Sequence, residues 1–101
     1  MPAKNVYQDV DLTRMNQLLL DTGTILVDVR EPWEFEEFNV GGVNIPLADI
    51  RSKRSLLQDA KTIIEICTNG VRSKVAAMDY CRIPEWNNKQ IFHVAGGILE
   101  A

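Results

Sequence analysis

Residues 61–76 read KTIIEICTNGVRSKVA. From Thr62 to Ile66 every residue but Glu65 is β-branched, which suits a strand packed on a pleated surface. The run stops at Cys67. A short polar loop containing Gly70 follows, and VRSKVAAMDYC then reads as a helix with Val71, Val75 and Met78 as its apolar stripe. The stretch is therefore strand, loop, helix, with a thiol at the tip of the strand.

The same alternation extends in both directions. Residues 6–9 suit a short first strand, and DLTRMNQLLLDTG a helix with Leu12, Met15 and Leu19 on one face, ended by Gly23. TILVDVR is a compact apolar run of the kind buried on both faces in a parallel sheet. In EPWEFEEF, Pro32 fits a first helical turn, and the spacing of Phe35 and Phe38 predicts that they point inward together. Gly41 and Gly42 break that helix. VNIPL is a short strand stopped by Pro46, residues 47–58 suggest helical turns, and QIFHV is the last strand before the Gly96–Gly97 turn. Strands separated by helices require crossovers, hence an α/β fold with a mainly parallel sheet. Sites in such sheets gather beyond the carboxyl ends of the strands. Asp28–Arg30 and Cys67–Arg72 both lie at such ends.

One hundred and one residues, 46% hydrophobic and 25% charged, fit one domain spanning residues 1–101. A net charge of −3 and a pI near 5.0 argue against a nucleic-acid partner. Arg51, Lys53 and Arg54 read as a solvated face. No apolar run has signal-peptide or membrane-span length, so no membrane partner is expected and cytoplasmic location is the expectation. The two cysteines, Cys67 and Cys81, form no disulfide framework. A helix between them would hold its ends ~14 Å apart, too far for a bond that needs Cα atoms within roughly 7 Å. With His93 they give no metal-ligand spacing.

A strand-to-helix loop of this length curls its backbone N–H groups inward, and the helix adds its positive end. Gly70 supplies the residue free to take positive φ, and Arg72 and Lys74 add charge. A thiol in such a cradle is favoured as thiolate. The expectation is a sulfur within reach of water, with amides aimed at it and no histidine base required.

The motifs resemble those of a known family. CTNGVRS (67–73) resembles the active-site loop of rhodanese-like sulfurtransferases, LVDVREPWEFE (26–36) their Asp-Val-Arg-Glu segment, GGVNIPL (41–47) their Gly-Ala-x-Asn-Ile-Pro-Leu segment, and VAGGILEA (94–101) their closing Gly-Gly stretch, with Ala101 where the family has tryptophan. The four blocks keep family order over roughly residues 6–101. The resemblance implies a rhodanese-like three-layer sandwich: a five-stranded, mostly parallel sheet with helices on both faces. It implies that Cys67, with Arg72 beside it, accepts a sulfane sulfur from a donor such as thiosulfate. The resulting persulfide, held by N–H groups of Thr68, Asn69, Gly70, Val71 and Ser73, passes sulfur to a thiol or to cyanide. No cofactor is implied; a sulfur-relay protein is a further partner to expect. Because Thr68, Asn69 and Val71 are not basic, the donor stays open.

Two rivals stand beside this. A phosphatase on a similar fold places five residues between cysteine and arginine, whereas four, Thr68 to Val71, separate Cys67 from Arg72. A non-catalytic interaction module commonly lacks the cysteine. Asp28 and Arg30 are expected to shape the loops as an ion pair or through hydrogen bonds. His93 is expected to fill core or surface rather than to catalyse, Cys81 to pack, and Trp33 and Trp86 to rim the pocket or cover the sheet.

Overall fold

Parallel pairing links all five strands in the order β1-β5-β4-β2-β3. The strands of this computed structural model are β1 (Tyr7–Val10), β2 (Thr24–Asp28), β3 (Val43–Asn44), β4 (Thr62–Ile66) and β5 (Gln90–Val94). The helices are α1 (Leu12–Leu18), α2 (Pro32–Glu37) and α3 (Val71–Tyr80), with 3-10 turns at Leu47–Asp49, Arg54–Leu57, Pro84–Trp86 and Ile98–Glu100. The structure describes residues 5–100, apart from the side chain of Glu100; Ala101, the position of the family's tryptophan, lies outside the described residues. No helix among them is long and apolar enough to cross a membrane.

Side-chain alternation divides the strands between two cores. Val27, Ile63, Cys67 and Ile91 pack under α3 with Ala76, Ala77, Tyr80 and Trp86. Leu26, Ile64, Ile66, Phe92 and Val94 pack on the other face with Met15 of α1. Strand β4, second from neither edge, is buried along its whole length. Its loop is thus held by the stiffest part of the sheet.

Three local expectations are corrected. Val71, Val75 and Met78 do not face the core; Val71 is 64% exposed. The buried side of α3 is Ser73, Ala76, Ala77 and Tyr80. Small residues let the helix approach the sheet closely, and the Ser73 N–H bond to the Cys67 sulfur fixes its rotation. Phe38 is 53% exposed, because the chain leaves α2 there in an extended conformation (φ −162°, ψ 138°), out of helical phase with Phe35. Helix α1 ends at Leu18 rather than near Gly23; a turn in which Asp21 Oδ1 accepts the Gly23 N–H replaces the last helical turn. Trp86 is buried against Tyr80, with ring centroids 5.3 Å apart, while Trp33 is exposed. Both cysteines are free and buried.

Candidate active site

Strand β4 delivers Cys67 to the carboxyl edge of the sheet, and the loop then folds back on the sulfur. The N–H of Gly70 donates to Cys67 Sγ at 3.1 Å and the N–H of Ser73 at 3.3 Å. Gly70 has φ +91°, and a Cβ there would run into the carbonyl oxygen of Ala95. Gly97, φ +64°, lies equally close to the carbonyl of Thr68. The following N–H groups complete the seam: Ile98 donates to the Cys67 carbonyl at 2.9 Å and Leu99 to that of Thr68 at 3.1 Å. Two backbone segments can approach this closely only where both lack side chains at the contact.

The site has a second feature which the sequence does not reveal. Cys67 is 0% exposed. The amides point at the sulfur as expected, but the sulfur is shut away from water rather than open to it. The 95–99 segment closes on the carbonyls of Cys67 and Thr68 backbone to backbone, while Cys67 itself packs in the core under α3 with Ala76 and Ala77.

Arg72, expected to add positive charge beside Cys67, has that charge matched by a partner from α2. Its Nη1 and Nη2 donate to Glu34 Oε1 and Oε2 at 2.6 and 3.0 Å, a bidentate pair, and Nη2 also reaches Thr68 Oγ1 at 3.3 Å. Glu34 Oε1 accepts the N–H of Glu31 as well, at 3.0 Å. The Arg72 guanidinium holds the Glu34 carboxyl at about 2, well below the usual carboxylate range. The net charge of this pair at the mouth of the loop is zero. Asn69 Oδ1 takes up the Val71 N–H at 3.2 Å, so that amide does not serve the sulfur. Of the residues expected to cradle it, Gly70 and Ser73 make the contacts.

A polar chain leads away from Cys67. Cys67 Sγ donates to Ser73 Oγ at 3.5 Å. Ser73 Oγ lies 3.0 Å from His93 Nδ1, and His93 Nε2 lies 3.1 Å from Asp9 Oδ1. His93 was expected to fill core or surface, and it is buried; its contacts were not legible in the sequence, because the residues that it links come from β1, α3 and the loop after β4. The available signal was a histidine inside the apolar run QIFHV, on the same face of the strand as buried Ile91. Burial holds the His93 imidazole below its ordinary range, with Lys74 adding in the same direction and Asp9 opposing.

Asp28 and Arg30 pair with each other. Arg30 Nε and Nη2 donate to the Asp28 carboxylate at 3.0 and 2.8 Å, and Nη2 also reaches the Phe38 carbonyl at 2.6 Å. Asn44 Nδ2 bonds the carbonyls of both residues at 3.0 and 2.9 Å. This cluster ties the end of β2 to α2 and so positions Glu34. Deeper under α3, Glu65 is fully buried, and neither its carboxyl oxygens nor the Tyr80 hydroxyl has a hydrogen-bond partner. Burial raises the Glu65 carboxyl well above its ordinary value, toward the neutral acid. Burial pushes Cys81 up to about 11, which keeps it an unreactive thiol. Among the described residues no group of three or more histidine, cysteine, aspartate or glutamate side chains could hold a metal ion.

The profile of the rhodanese-like domain matches residues 11–100. The chain belongs to the rhodanese-like domain family. Relatives of this rhodanese-like domain include the uncharacterized protein YqhL of Bacillus subtilis, 42% identical over 81 residues, covering 76% of this chain and 64% of that protein. The tRNA uridine(34) hydroxylase of Yersinia enterocolitica is 28% identical over 103 residues, covering 95% of this chain but 29% of the hydroxylase. The chain thus spans under a third of that enzyme's length. A rhodanese-related protein from Thermoplasma volcanium superposes with a TM-score of 0.77 at 26% identity, covering 93% of this chain and 89% of that one.

Proposed function

We propose that the protein is a sulfurtransferase that carries sulfane sulfur as a persulfide on Cys67, acting in the cytoplasm, where its two thiols stay reduced. The observation that carries this reading is the pair of N–H donors, from Gly70 and Ser73, aimed at one sulfur. Such donors stabilise negative charge on sulfur. In loading, Cys67 Sγ attacks the outer sulfur of the donor, and the donor leaves with the bonding pair, as sulfite from thiosulfate. In unloading, a nucleophile such as cyanide or a thiol takes that sulfur, and the pair returns to Cys67. Thr68 and Asn69 shape the entry, and Arg72 orients the donor from its bond with Glu34. With that pair neutral, a donor of lower charge than the thiosulfate dianion meets no electrostatic disadvantage.

Intact-mass measurement after incubation with thiosulfate or an organic persulfide, then with a thiol, tests this. A gain of one sulfur that the thiol removes, absent from Cys67→Ser and present in Cys81→Ser, is the expected result. No gain with any sulfane donor would favour the alternative, a rhodanese fold that serves only to bind a partner.

A further inference from the structure

A fully buried thiol has no water beside it to take its proton, yet it must lose that proton before it can attack. The hydrogen-bond chain from Cys67 supplies a route. We propose that Ser73 and His93, ending at Asp9, form a proton relay that takes the proton from Cys67 on loading and returns it on unloading. This rests on the sulfur-transfer reading above.

The direction of the relay follows from the chemistry of each member. An ionised Asp9 can only accept, so His93 Nε2 carries the proton of the 3.1 Å contact. Nδ1 is then the lone pair, and the Ser73 hydroxyl must donate to it across 3.0 Å. That leaves the Ser73 oxygen as acceptor for the Cys67 S–H at 3.5 Å. Every hydrogen in the chain points from sulfur toward solvent. The terminal atoms lie in opposite environments: Cys67 is 0% exposed, and the Asp9 side chain 66%. Strand pairing makes the arrangement rigid, since Asp9 and His93 are register partners on β1 and β5.

The groups facing His93 decide its protonation. From β1 come Asp9 and the Tyr7 ring, whose centroid lies 5.4 Å from that of His93; from α3, Ser73 and Lys74; from β4, its register partner Glu65, whose carboxyl burial pushes toward the neutral form. Burial and Lys74 keep the imidazole unprotonated near neutral pH, ready to accept a proton. In loading, the Cys67 S–H bond breaks and its electron pair stays on sulfur. The proton passes to Ser73 Oγ as the serine's own proton passes to Nδ1, leaving an imidazolium against Asp9. With thiosulfate as donor, the products are the Cys67 persulfide anion, the imidazolium and sulfite. With cyanide as acceptor, thiocyanate leaves, and the imidazolium returns its proton to Cys67 through Ser73. No oxidant or reductant is required. Ser73 touches the reacting atom; His93 and Asp9 act through it as positioning residues.

The test is the pH profile of the loading rate, followed by quenching and intact mass, in the full-length chain. For the wild-type protein the rate should climb with pH through a single step below the usual histidine range and then level off. Ser73→Ala keeps both backbone donors to the sulfur. It should nonetheless lose that step and load ~100-fold more slowly at the plateau, the low end of general-base effects, while reaching the same final mass. Asp9→Asn changes an exposed side chain outside both cores. It should move the step to lower pH, because the carboxylate that supports the imidazolium is gone. Wild-type rates and profiles in both variants would overturn the relay while leaving the persulfide intact. Failure of the wild-type chain to load with any donor would instead overturn the sulfur-transfer reading.

Discussion

Replacing Glu34 by Gln strips one negative charge from the mouth of the site and leaves most of its geometry. A glutamine can still accept the Glu31 N–H and one Arg72 N–H, the contacts now made by Oε1 at 3.0 and 2.6 Å. What disappears is the charge that cancels Arg72. Glu34 Oε2 lies 3.4 Å from Thr68 Oγ1, on the residue next to the nucleophile. A dianionic donor seated ~6 Å from that carboxylate is repelled by ~1.4–2.8 kcal/mol for an effective dielectric between ~80 and ~40. Screening at physiological ionic strength roughly halves this, to ~0.7–1.4 kcal/mol. The expected gain in kcat/KM for thiosulfate is therefore about 3- to 10-fold. It should shrink in 1 M salt and be smaller for a singly charged organic persulfide. Losing the charged half of a partly exposed pair should cost about 1 kcal/mol of stability, a fall in Tm of about 4–8 °C for a chain this size. The assay is steady-state turnover of the two donors at two salt concentrations, beside a thermal melt. An unchanged thiosulfate kcat/KM, or an equal gain for both donors, would refute the claim that Glu34 masks Arg72.

Two further outcomes are expected. Gly70→Ala places a side chain at φ +91° against the Ala95 carbonyl. The left-handed backbone costs roughly 1–2 kcal/mol, and the clash forces the seam apart, so Tm should drop by about 12 °C or more with sulfur loading lost; a melt within about 3 °C of wild type would contradict that packing. Glu65→Gln tests the buried acid. A carboxyl raised on folding contributes stability that is complete below its unfolded value, near 4.5, and is lost as pH rises toward the folded value. Urea unfolding should thus show the variant gaining on wild type from pH 5 to pH 8, and a difference independent of pH would show that Glu65 is ionised in the fold.

The strands were legible in the sequence because they carry dense local signals. TIIEI and QIFHV match β4 and β5, and the strand–helix alternation implied the parallel order. The face of α3 was not. Its stripe of Val71, Val75 and Met78 obeys helical spacing, but close packing on the sheet favours Ala76 and Ala77, which hydrophobicity ranks lower. At the site, the loop's glycine and its amides were legible from spacing alone. The partners that settle its chemistry were not, since Glu34 reaches Arg72 from another helix and His93 reaches Ser73 from another strand. Such contacts depend on sheet order, which fixes neighbours across the sequence rather than along it. The burial of Cys67 was hidden for the same reason: it packs in the core under α3, and backbone from residues 95–99 closes on its carbonyl.

That closure also sets a sequence of assembly. A polypeptide emerging in order from its amino end completes β4 and α3 while β5 and the Gly97 turn are still to come. The nucleophile then hangs at an open sheet edge, with neither the Ile98 bond on its carbonyl nor His93 behind its serine. On the proposed sulfur-transfer reading, competence for chemistry arrives with the last strand, and an unfinished or clipped chain should stay mute even where much of its architecture has formed.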